Sequence, residues 1–412
     1  MPPAPGRGFL FASAMRASSS RWRTGTAVLG LMSGTSADGV DAVLAWLQGK
    51  PNRPHWRIVN SSFLAYPDSL RRKLIAVGQG QPIASAQWLN LAEALTEHHA
   101  AAARQCDPHG RATLVGCHGQ TVWHRPPEEE HRGGSWQLLQ GPLLAQLLQR
   151  PVIFDFRAAD LALAGQGAPL VPPADEALLG RVAGWRALLN LGGIANLTLL
   201  PPASGPDRHR SVQGWDCGPA NTLLDLAVEH FSEGRRSFDA DGAWAAQGQP
   251  DQQLIASWLE EGYFQQQPPK STGRELFGAA DLERRLAELE QGARQRGHDL
   301  DPADALASLS ALSAAVVAQD LSRLPARPVE LLVAGGGCRN RTLMAELGRR
   351  CRGTAVRPLA ELGIADNQRE ALAFALLAWW HQQSHPGNAP SVTGARAACR
   401  LGVRVEPAGP PG

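Results

Sequence analysis

Several short segments of this chain combine glycine with hydroxyl, amide and carboxylate side chains, which are the groups that bind phosphates and polyhydroxylated ligands. The first is Ser33–Asp41, SGTSADGVD, where Gly34 and Gly39 allow a tight turn with φ > 0. Successive N–H groups in such a turn form an anion-binding nest, and Asp38 and Asp41 are oxygen ligands suited to a phosphate-bound Mg²⁺. The Walker pattern GxxxxGK[ST] is absent. Alone, the segment is also compatible with an ordinary polar turn.

Two further glycine turns follow the same logic. Asn190–Asn196, NLGGIAN, either brings its backbone close to a ligand or forms a type I′ hairpin turn. Leu332–Asn340, LVAGGGCRN, is typical of a strand that ends in a glycine turn and opens a helix, whose N-terminus suits an anion or a nucleotide. The GxGxxG dinucleotide pattern is absent, which disfavours a Rossmann domain.

Charged and imidazole side chains occur in four other segments. Asp216, in GWDCGPAN, is either a general base directed into a cleft or the cap of the helix that follows. Cys117–Pro126, CHGQTVWHRP, is predicted to be a loop that offers hydrogen-bonding groups to a polyhydroxylated ligand, although lone histidines are more often structural. Asp155–Pro172 places Asp155, Arg157 and Asp160 after a buried strand, at a ligand crevice or in an internal salt bridge. In Pro268–Glu275 the cations Lys270 and Arg274 either contact phosphate or are solvated.

Alternating short apolar runs and longer periodic segments predict an α/β protein. A strand pair joined by a polar glycine loop occurs near residue 34 and recurs near residue 192. This recurrence indicates two similar α/β halves facing one cleft, or else two unrelated hairpins. Strands are predicted at Thr26–Leu31, Val40–Leu47, Asn52–Leu64, Ala112–Gly116, Pro151–Phe156, Trp185–Leu191, Ile194–Leu200 and Val329–Val333, and helices at Ser85–Gln105, Leu223–Phe231, Ala303–Leu321, Asn340–Arg350 and Arg369–His381.

The composition is that of an ordinary globular protein, with 412 residues, 43% hydrophobic and 19% charged. A net charge of +2 gives no indication of a nucleic-acid or acidic-membrane partner. Six scattered cysteines without a CxxC pair predict neither a zinc site nor disulfides, which fits a reducing cytoplasm. No apolar run is expected to span a membrane. Residues 1–24 are expected to be a disordered extension or to reflect a misassigned start, with Met15 as the alternative.

Taken together, the segments resemble one family, the anhydro-N-acetylmuramic acid kinases. Ten segments match in chain order between about residues 25 and 403: GLMSGTSADGVD, GCHGQTVWHRP, DFRAADLALAGQGAPLVP, NLGGIANLT, GWDCGPAN, FDADGAWAAQG, PPKSTGRELF, GGGCRN, REALAFALLAW and PGNAPSVTGA. Any one of them arises easily by chance, whereas ten in order are specific.

The resemblance implies a fold of the sugar kinase, actin and heat-shock chaperone superfamily: two actin-like ATPase domains of duplicated ancestry, with the active site in the cleft between them. The expected division is residues 25–155 plus 376–412 for one domain and 156–375 for the other. The implied reaction is cleavage of the 1,6-anhydro ring with water and phosphorylation of O6 by ATP with Mg²⁺. The product is N-acetylmuramic acid 6-phosphate, an intermediate in peptidoglycan recycling. A homodimer is also implied.

The resemblance assigns roles by position in each motif. Asp216 matches the catalytic base, while His118, Gln120, Arg157 and Glu370 match positions expected near the sugar. The expected ATP-binding residues are Gly34, Thr35, Ser36, Ala37, Asp38, Gly39, Val40, Asp41, Gly192, Gly193, Asn196, Gly218, Asn221, Gly335, Gly336 and Asn340.

The chain departs from the family pattern at several positions. Ala220 and Ala164 stand where glycine is common, and a methyl group there is unfavourable if φ is positive. The usual histidine after Val171-Pro172 is missing, and Gln-Ile-Gly-Asp is replaced by Gln137–Gln140, QLLQ. Two alternatives therefore remain open: a kinase of the same fold that acts on a different sugar, and a catalytically weak ATP-binding regulatory protein.

Overall fold

The computed structural model describes residues 25–125, 127, 131–268, 270–273, 276–365 and 367–409. The predicted extension, residues 1–24, lies outside the described residues. The chain forms two compact units. One consists of the residues up to Leu179 and from Glu370 onward, and the other is Gly180–Arg369.

The first unit is built on a mixed sheet. Its strands in chain order are β1 (Thr26–Ser33), β2 (Gly39–Lys50), β3 (Arg53–Ala65), β4 (Leu114–Arg125), β5 (Gly134–Leu138) and β6 (Val152–Phe154). β1, β2 and β3 are antiparallel neighbours, β4 runs parallel to β1, and β6 runs parallel to β4. β5 pairs antiparallel with the distal part of β4. β1 is buried along almost its whole length, as its continuous apolar sequence predicts.

Helices cover this sheet and close its core. They are Asp68–Gly78, Ser85–Cys106, Gly141–Leu148, Ala158–Ala162 and Val171–Leu179. The longest, Ser85–Cys106, buries a stripe that includes Leu91, Leu95 and Ala102, at the spacing of one helical face. These residues join the core formed by β1, β2 and β4.

The second unit contains a sheet of β7 (Arg186–Leu191), β8 (Ile194–Leu200), β9 (Gln213–Pro219), β10 (Glu330–Ala334) and β11 (Ala355–Pro358). β7, β8 and β9 are antiparallel neighbours, β10 runs parallel to β7, and β11 runs parallel to β10. The strand order β11-β10-β7-β8-β9 therefore repeats the order β6-β4-β1-β2-β3 of the first unit, with the same strand directions.

The α-helices of the second unit are Asn221–Phe231, Gln252–Leu259, Gly262–Gln265, Ala279–Gln295, Pro302–Ser322 and Arg341–Arg350. Asp301 caps Pro302–Ser322 by accepting from the N–H of Ala303 at 2.8 Å. By length and composition alone this helix would pass as a membrane span, but 83% of its apolar window is buried inside the protein. Its near-complete burial identifies it as a central core helix of this unit.

The chain then returns to the first unit through helix Arg369–Gln382, a short helix Pro390–Thr393 and β12 (Val403–Val405), which pairs antiparallel with β6. The returning helix packs directly on the sheet. A Cβ atom on Gly30 would lie 1.8 Å from the carbonyl oxygen of Ala371, and one on Gly116 would lie 2.2 Å from that of Phe374. Only glycine at both strand positions permits this approach.

These contacts move the domain boundaries away from residues 155/156 and 375/376, where the sequence placed them. The breaks lie at Leu179/Gly180 and Arg369/Glu370. Asp160 belongs with the first unit because its carboxylate accepts hydrogen bonds from Asn388 and Thr393, both at 2.7 Å. The predicted strands and helices named above are all present, with ends that differ by a few residues, except that β4 continues to Arg125 rather than ending at Gly116.

Candidate active site

Asp216 lies within β9 of the second unit and is half-buried. Its Oδ1 accepts from the amide of Asn196 on β8 at 2.8 Å. Its Oδ2 accepts from the Ser271 hydroxyl at 3.0 Å and from the Thr272 N–H at 3.1 Å. Three donors thus fix the carboxylate without neutralising it, because none of them is a cation. The alternative that Asp216 caps the following helix is wrong, since Ala220 occupies the N-cap position and no side chain caps that helix.

The main chain of Asp216 is held as well. Its N–H donates to the carbonyl of Lys270 at 3.0 Å, and its carbonyl accepts from the Tyr263 hydroxyl at 2.8 Å. Lys270 itself forms a buried ion pair with Asp320 at 2.9 Å. Both sequence alternatives for Lys270, phosphate contact and solvation, are therefore wrong. Arg274 lies outside the described residues.

The turn between β7 and β8 lies beside the start of helix Asn221–Phe231. The Asn221 amide donates to the carbonyls of Leu191 at 2.9 Å and Gly192 at 2.7 Å, and the N–H groups of Ala220 and Asn221 donate to Gly193 and Gly192. A Cβ atom on Gly193 would lie 2.6 Å from the Thr222 hydroxyl. Neither glycine has positive φ, so the type I′ turn is not formed.

The glycine segment after β10 also contacts the end of β7. Gly335 has φ 86°, and a Cβ atom there would lie 2.7 Å from the Asn190 side-chain oxygen. Gly336 has open space where a Cβ would stand. Asn340 caps helix Arg341–Arg350 through its Oδ1, which accepts from the Leu343 N–H at 2.9 Å. The oxygen of Asn340 is therefore committed to the helix.

In the first unit, the turn between β1 and β2 exposes Thr35, Ser36 and Asp38. The residue with positive φ is Ala37, at 51°, and not Gly34 or Gly39 as expected. Gly39 is required for packing instead, because a Cβ there would lie 2.3 Å from the Leu64 carbonyl oxygen. Asp38 pairs with Arg71 at 3.1 Å, with both side chains largely exposed.

Gln120 anchors this turn from below. It accepts from the Ser33 hydroxyl at 2.6 Å and donates to the Gly34 carbonyl at 3.0 Å. CHGQTVWHRP is not a loop, since residues 114–125 form β4, which places His118 and Gln120 on a central strand. The positive φ of Gly119, 75°, and a register shift where β4 pairs with β1 interrupt the alternation between them, so each side chain contacts its own partners.

His118 supports Arg157 in the same unit. Its Nδ1 contacts the carbonyl of Gly119 at 2.9 Å, and its Nε2 lies 2.9 Å from an Arg157 guanidinium nitrogen. Burial, together with the Arg157 charge, lowers the pKa of His118 to about 3, so the ring is neutral and its Nε2 accepts from Arg157. Arg157 also donates to the Gly167 carbonyl at 2.7 Å. Burial lowers the pKa of Arg157 to about 10, while the nearby Glu370 and Asp160 carboxylates oppose that fall.

The described residues fit Mg²⁺ only as a lightly held ion. Within the described ranges, no group of three His, Cys, Asp or Glu side chains is placed to hold a metal. Mg²⁺ commonly keeps several waters and binds one or two carboxylates plus substrate phosphates, which this arrangement can accommodate. All six cysteines are free thiols.

The family of this chain is shown by its similarity to known proteins. The family model for anhydro-N-acetylmuramic acid kinase matches residues 26–407. The chain belongs to the anhydro-N-acetylmuramic acid kinase family. The protein of that name from Synechococcus sp. (strain CC9902) is 61% identical over 383 residues, which cover 92% of this chain and 99% of the relative. The one from Prochlorococcus marinus (strain MIT 9303) is 62% identical over 385 residues, which cover 92% of this chain and 100% of the relative.

A more distant likeness is found among solved structures. The activator of 2-hydroxyisocaproyl-CoA dehydratase from Clostridium difficile with bound ADPNP aligns over 87% of this chain and 96% of that chain, with a TM-score of 0.39 and 12% identity. Similarity at this level carries no argument about mechanism.

In this anhydro-N-acetylmuramic acid kinase family member, the structure brings together Asp216 with Asn196, and Gly192 with Asn221, as two sets within the second unit. In the first unit it joins Gln120 to Gly34 and His118 to Arg157. The sequence missed Ser271 and Thr272 as partners of Asp216. Both residues lie in the motif PPKSTGRELF, in which the sequence singled out only the cations Lys270 and Arg274.

Proposed function

We propose that this chain is an ATP-dependent anhydro-N-acetylmuramic acid kinase. It opens the 1,6-anhydro ring of 1,6-anhydro-N-acetylmuramic acid with water and phosphorylates O6, giving N-acetylmuramic acid 6-phosphate and ADP. The observation that carries the proposal is a carboxylate fixed by three neutral donors, Asp216, in a chain that matches this family over residues 26–407. The reaction belongs to the cytoplasmic recycling of peptidoglycan.

Asp216 is the general base of the reaction. It takes a proton from the water that attacks the anomeric carbon, and the bond from that carbon to O6 breaks. O6 then forms its new bond to the γ-phosphorus, and ADP leaves. The fixed carboxylate is suited to this role because general-base catalysis requires a base held within hydrogen-bond reach of the proton that it removes. Asn196 and the Ser271 hydroxyl keep both carboxylate oxygens in place.

In each unit a glycine turn is proposed to bind ATP phosphate. The turns at Gly34–Gly39 and Gly192–Gly193 each join the first two strands of sheets with the same strand order, which supports two actin-like ATPase domains of duplicated ancestry. Exposed Thr35 and Ser36 offer hydroxyls to phosphate. Gly218 and Gly335 have positive φ, and the lack of a Cβ there admits Phe264 and Asn190, whereas Gly336 leaves open space beside its backbone for the nucleotide. Phosphoryl transfer depends on such positioning and on charge neutralisation, which Mg²⁺ supplies when bound.

The sugar is bound through Arg157 and Glu370. The neutral His118 ring and the Gly167 carbonyl orient the Arg157 guanidinium, so His118 acts through Arg157. Gln120 likewise acts indirectly, because its amide is occupied by Ser33 and Gly34. Arginine with its fixed fork is well suited to the carboxylate of an N-acetylmuramic acid.

A coupled assay of ADP release tests the proposal. Purified protein with ATP, Mg²⁺ and 1,6-anhydro-N-acetylmuramic acid is expected to release ADP and a sugar 6-phosphate. Asp216→Asn is expected to abolish turnover while leaving ATP affinity nearly unchanged. Turnover only with another sugar, or ATP binding without turnover, would replace the proposal with one of the two alternatives. Sedimentation of the same sample tests the expected homodimer.

A further inference from the structure

Lys270 and Asp320 form a buried ion pair next to the strand that carries Asp216. The Lys270 ammonium is 2.9 Å from Oδ1 of Asp320, and the two side chains are only 1% and 3% exposed. Asp320 stands on the core helix Pro302–Ser322. The ammonium also lies 5.2 Å from the centre of the Tyr263 ring, so its remaining surroundings are aromatic rather than aqueous.

This pair is connected to both segments that present the catalytic carboxylate. Oδ2 of Asp320 accepts from the indole N–H of Trp215, the residue before Asp216, at 2.9 Å. Oδ1 holds Lys270, the residue before Ser271. One carboxylate on a core helix therefore ties the strand that carries Asp216 to the segment whose Ser271 and Thr272 donate to Asp216.

A role in stability alone does not account for such a pair. Removing two charges from water costs several kcal/mol per ion, and well-packed apolar residues in place of a buried pair are often neutral or stabilising. What the pair does provide is a fixed distance and direction, because each Asp320 oxygen has its own donor. The Lys270 carbonyl uses that fixed position to accept the Asp216 N–H.

We propose that Lys270 and Asp320 are positioning residues that hold Ser271 and Thr272 against Oδ2 of Asp216. This inference rests on the proposed role of Asp216 as the base. A displacement of about 1 Å at a reacting group reduces the rate by about 100-fold. Loss of the pair should therefore lower kcat and leave substrate binding nearly intact.

The test is the double variant Lys270→Met/Asp320→Leu, which removes both charges and so leaves no buried charge without its partner. We expect kcat to fall about 10- to 100-fold, with KM for ATP and for the anhydro sugar within about threefold. The matched control is Arg186→Met/Glu330→Gln, which removes another little-exposed ion pair of the same unit, 2.7 Å long, between the first residues of the paired strands β7 and β10. That control should keep the parent kcat.

Trp215→Phe provides a milder variant that keeps an aromatic ring, removes the hydrogen bond to Asp320 and leaves a smaller side chain in the core. It should fold as the parent does and lower kcat about threefold to tenfold, which tests the inference even if the double variant does not fold. An unchanged kcat in Trp215→Phe or in the folded double variant would overturn the inference. So would a raised KM for ATP with unchanged kcat, which would mean that the pair supports nucleotide binding rather than the orientation of Asp216.

Ser271→Ala separates positioning from general loosening. If the pair acts through Ser271, this substitution should cost about tenfold in the parent and much less in the double variant. Equal costs in both backgrounds would contradict the mechanism. Asp216→Asn checks the base assignment separately. High activity in that variant would contradict the role of Asp216 as base and with it the proposed function. An inactive Asp216→Asn together with a fully active double variant would contradict only the positioning role of Lys270 and Asp320.

Discussion

The Asn196 side-chain amide donates to Oδ1 of Asp216 at 2.8 Å, from the directly paired position on the neighbouring strand. The sequence assigned Asn196 to ATP binding, but its amide contacts the Asp216 carboxylate instead. The amide lies against the carboxylate proposed as base, so its first effect is on the orientation of that carboxylate. Strand pairing at one register position, rather than a loop, provides the geometry.

Asn196→Ala should therefore act on turnover more than on nucleotide binding. We expect kcat to fall about 10-fold, because a base that lacks one of its orienting bonds is aligned less often. KM for ATP should stay within about threefold. Steady-state kinetics with each substrate varied in turn provide the measurement, and Asn52→Ala at an exposed site is the control. A large rise in KM for ATP with normal kcat would instead support the original assignment of Asn196 to nucleotide binding.

The strands around both glycine turns were predictable because each is a short apolar segment bounded by turn residues. Thr26–Ser33 and Arg186–Leu191 are two such strands. The repeated strand order was also indicated by the recurrence of the strand–turn–strand unit. The segments that a sequence identifies well are those whose pattern is local.

Long-range packing could not be read in the same way. The first unit includes residues from 370 onward because Gly30 and Gly116 admit the backbone of a helix more than 250 residues away in the sequence. The left-handed residue of the first turn is Ala37, although two glycines stand nearby. The burial of Lys270 depends on Asp320, 50 residues later. Each of these outcomes is set by a partner distant in sequence.

Gln120→Leu should weaken the first phosphate turn. The substitution leaves the Ser33 hydroxyl and the Gly34 carbonyl without their present partner, and an unsatisfied buried polar group costs about 1–3 kcal/mol. We expect a lower free energy of unfolding and a raised KM for ATP, with KM for the sugar less affected. Urea unfolding and kinetics measure both effects. In the Ser33→Ala background the same change should cost less, and full additivity would argue against the coupling.

Ala164→Gly should stabilise the protein. Ala164 is exposed and has φ 64°, a conformation that costs a non-glycine residue about 1–2 kcal/mol, part of which the greater unfolded-state freedom of glycine offsets. We expect a net gain of about 0.5–1 kcal/mol in the free energy of unfolding. The matched control is Ala220→Gly, at φ −114° and fully buried, which should destabilise instead. A stabilising Ala220→Gly together with a destabilising Ala164→Gly would contradict the backbone argument.

Acidification should destabilise the first unit through two buried histidines. Burial lowers the pKa of His99 to about 4, opposed by its bond to the Leu95 carbonyl, and the pKa of His118 falls to about 3. The unfolded chain protonates both near 6.5, so it binds more protons than the native state below that pH, and stability falls from about pH 6.5 towards pH 4. Each histidine contributes up to about 1.4 kcal/mol per pH unit. His99→Leu should flatten the dependence of the free energy of unfolding on pH between 4.5 and 6 by about one such contribution, whereas His55→Gln at an exposed site should not. An unchanged slope in His99→Leu, measured by urea unfolding across that pH range, would show that His99 does not titrate in this way.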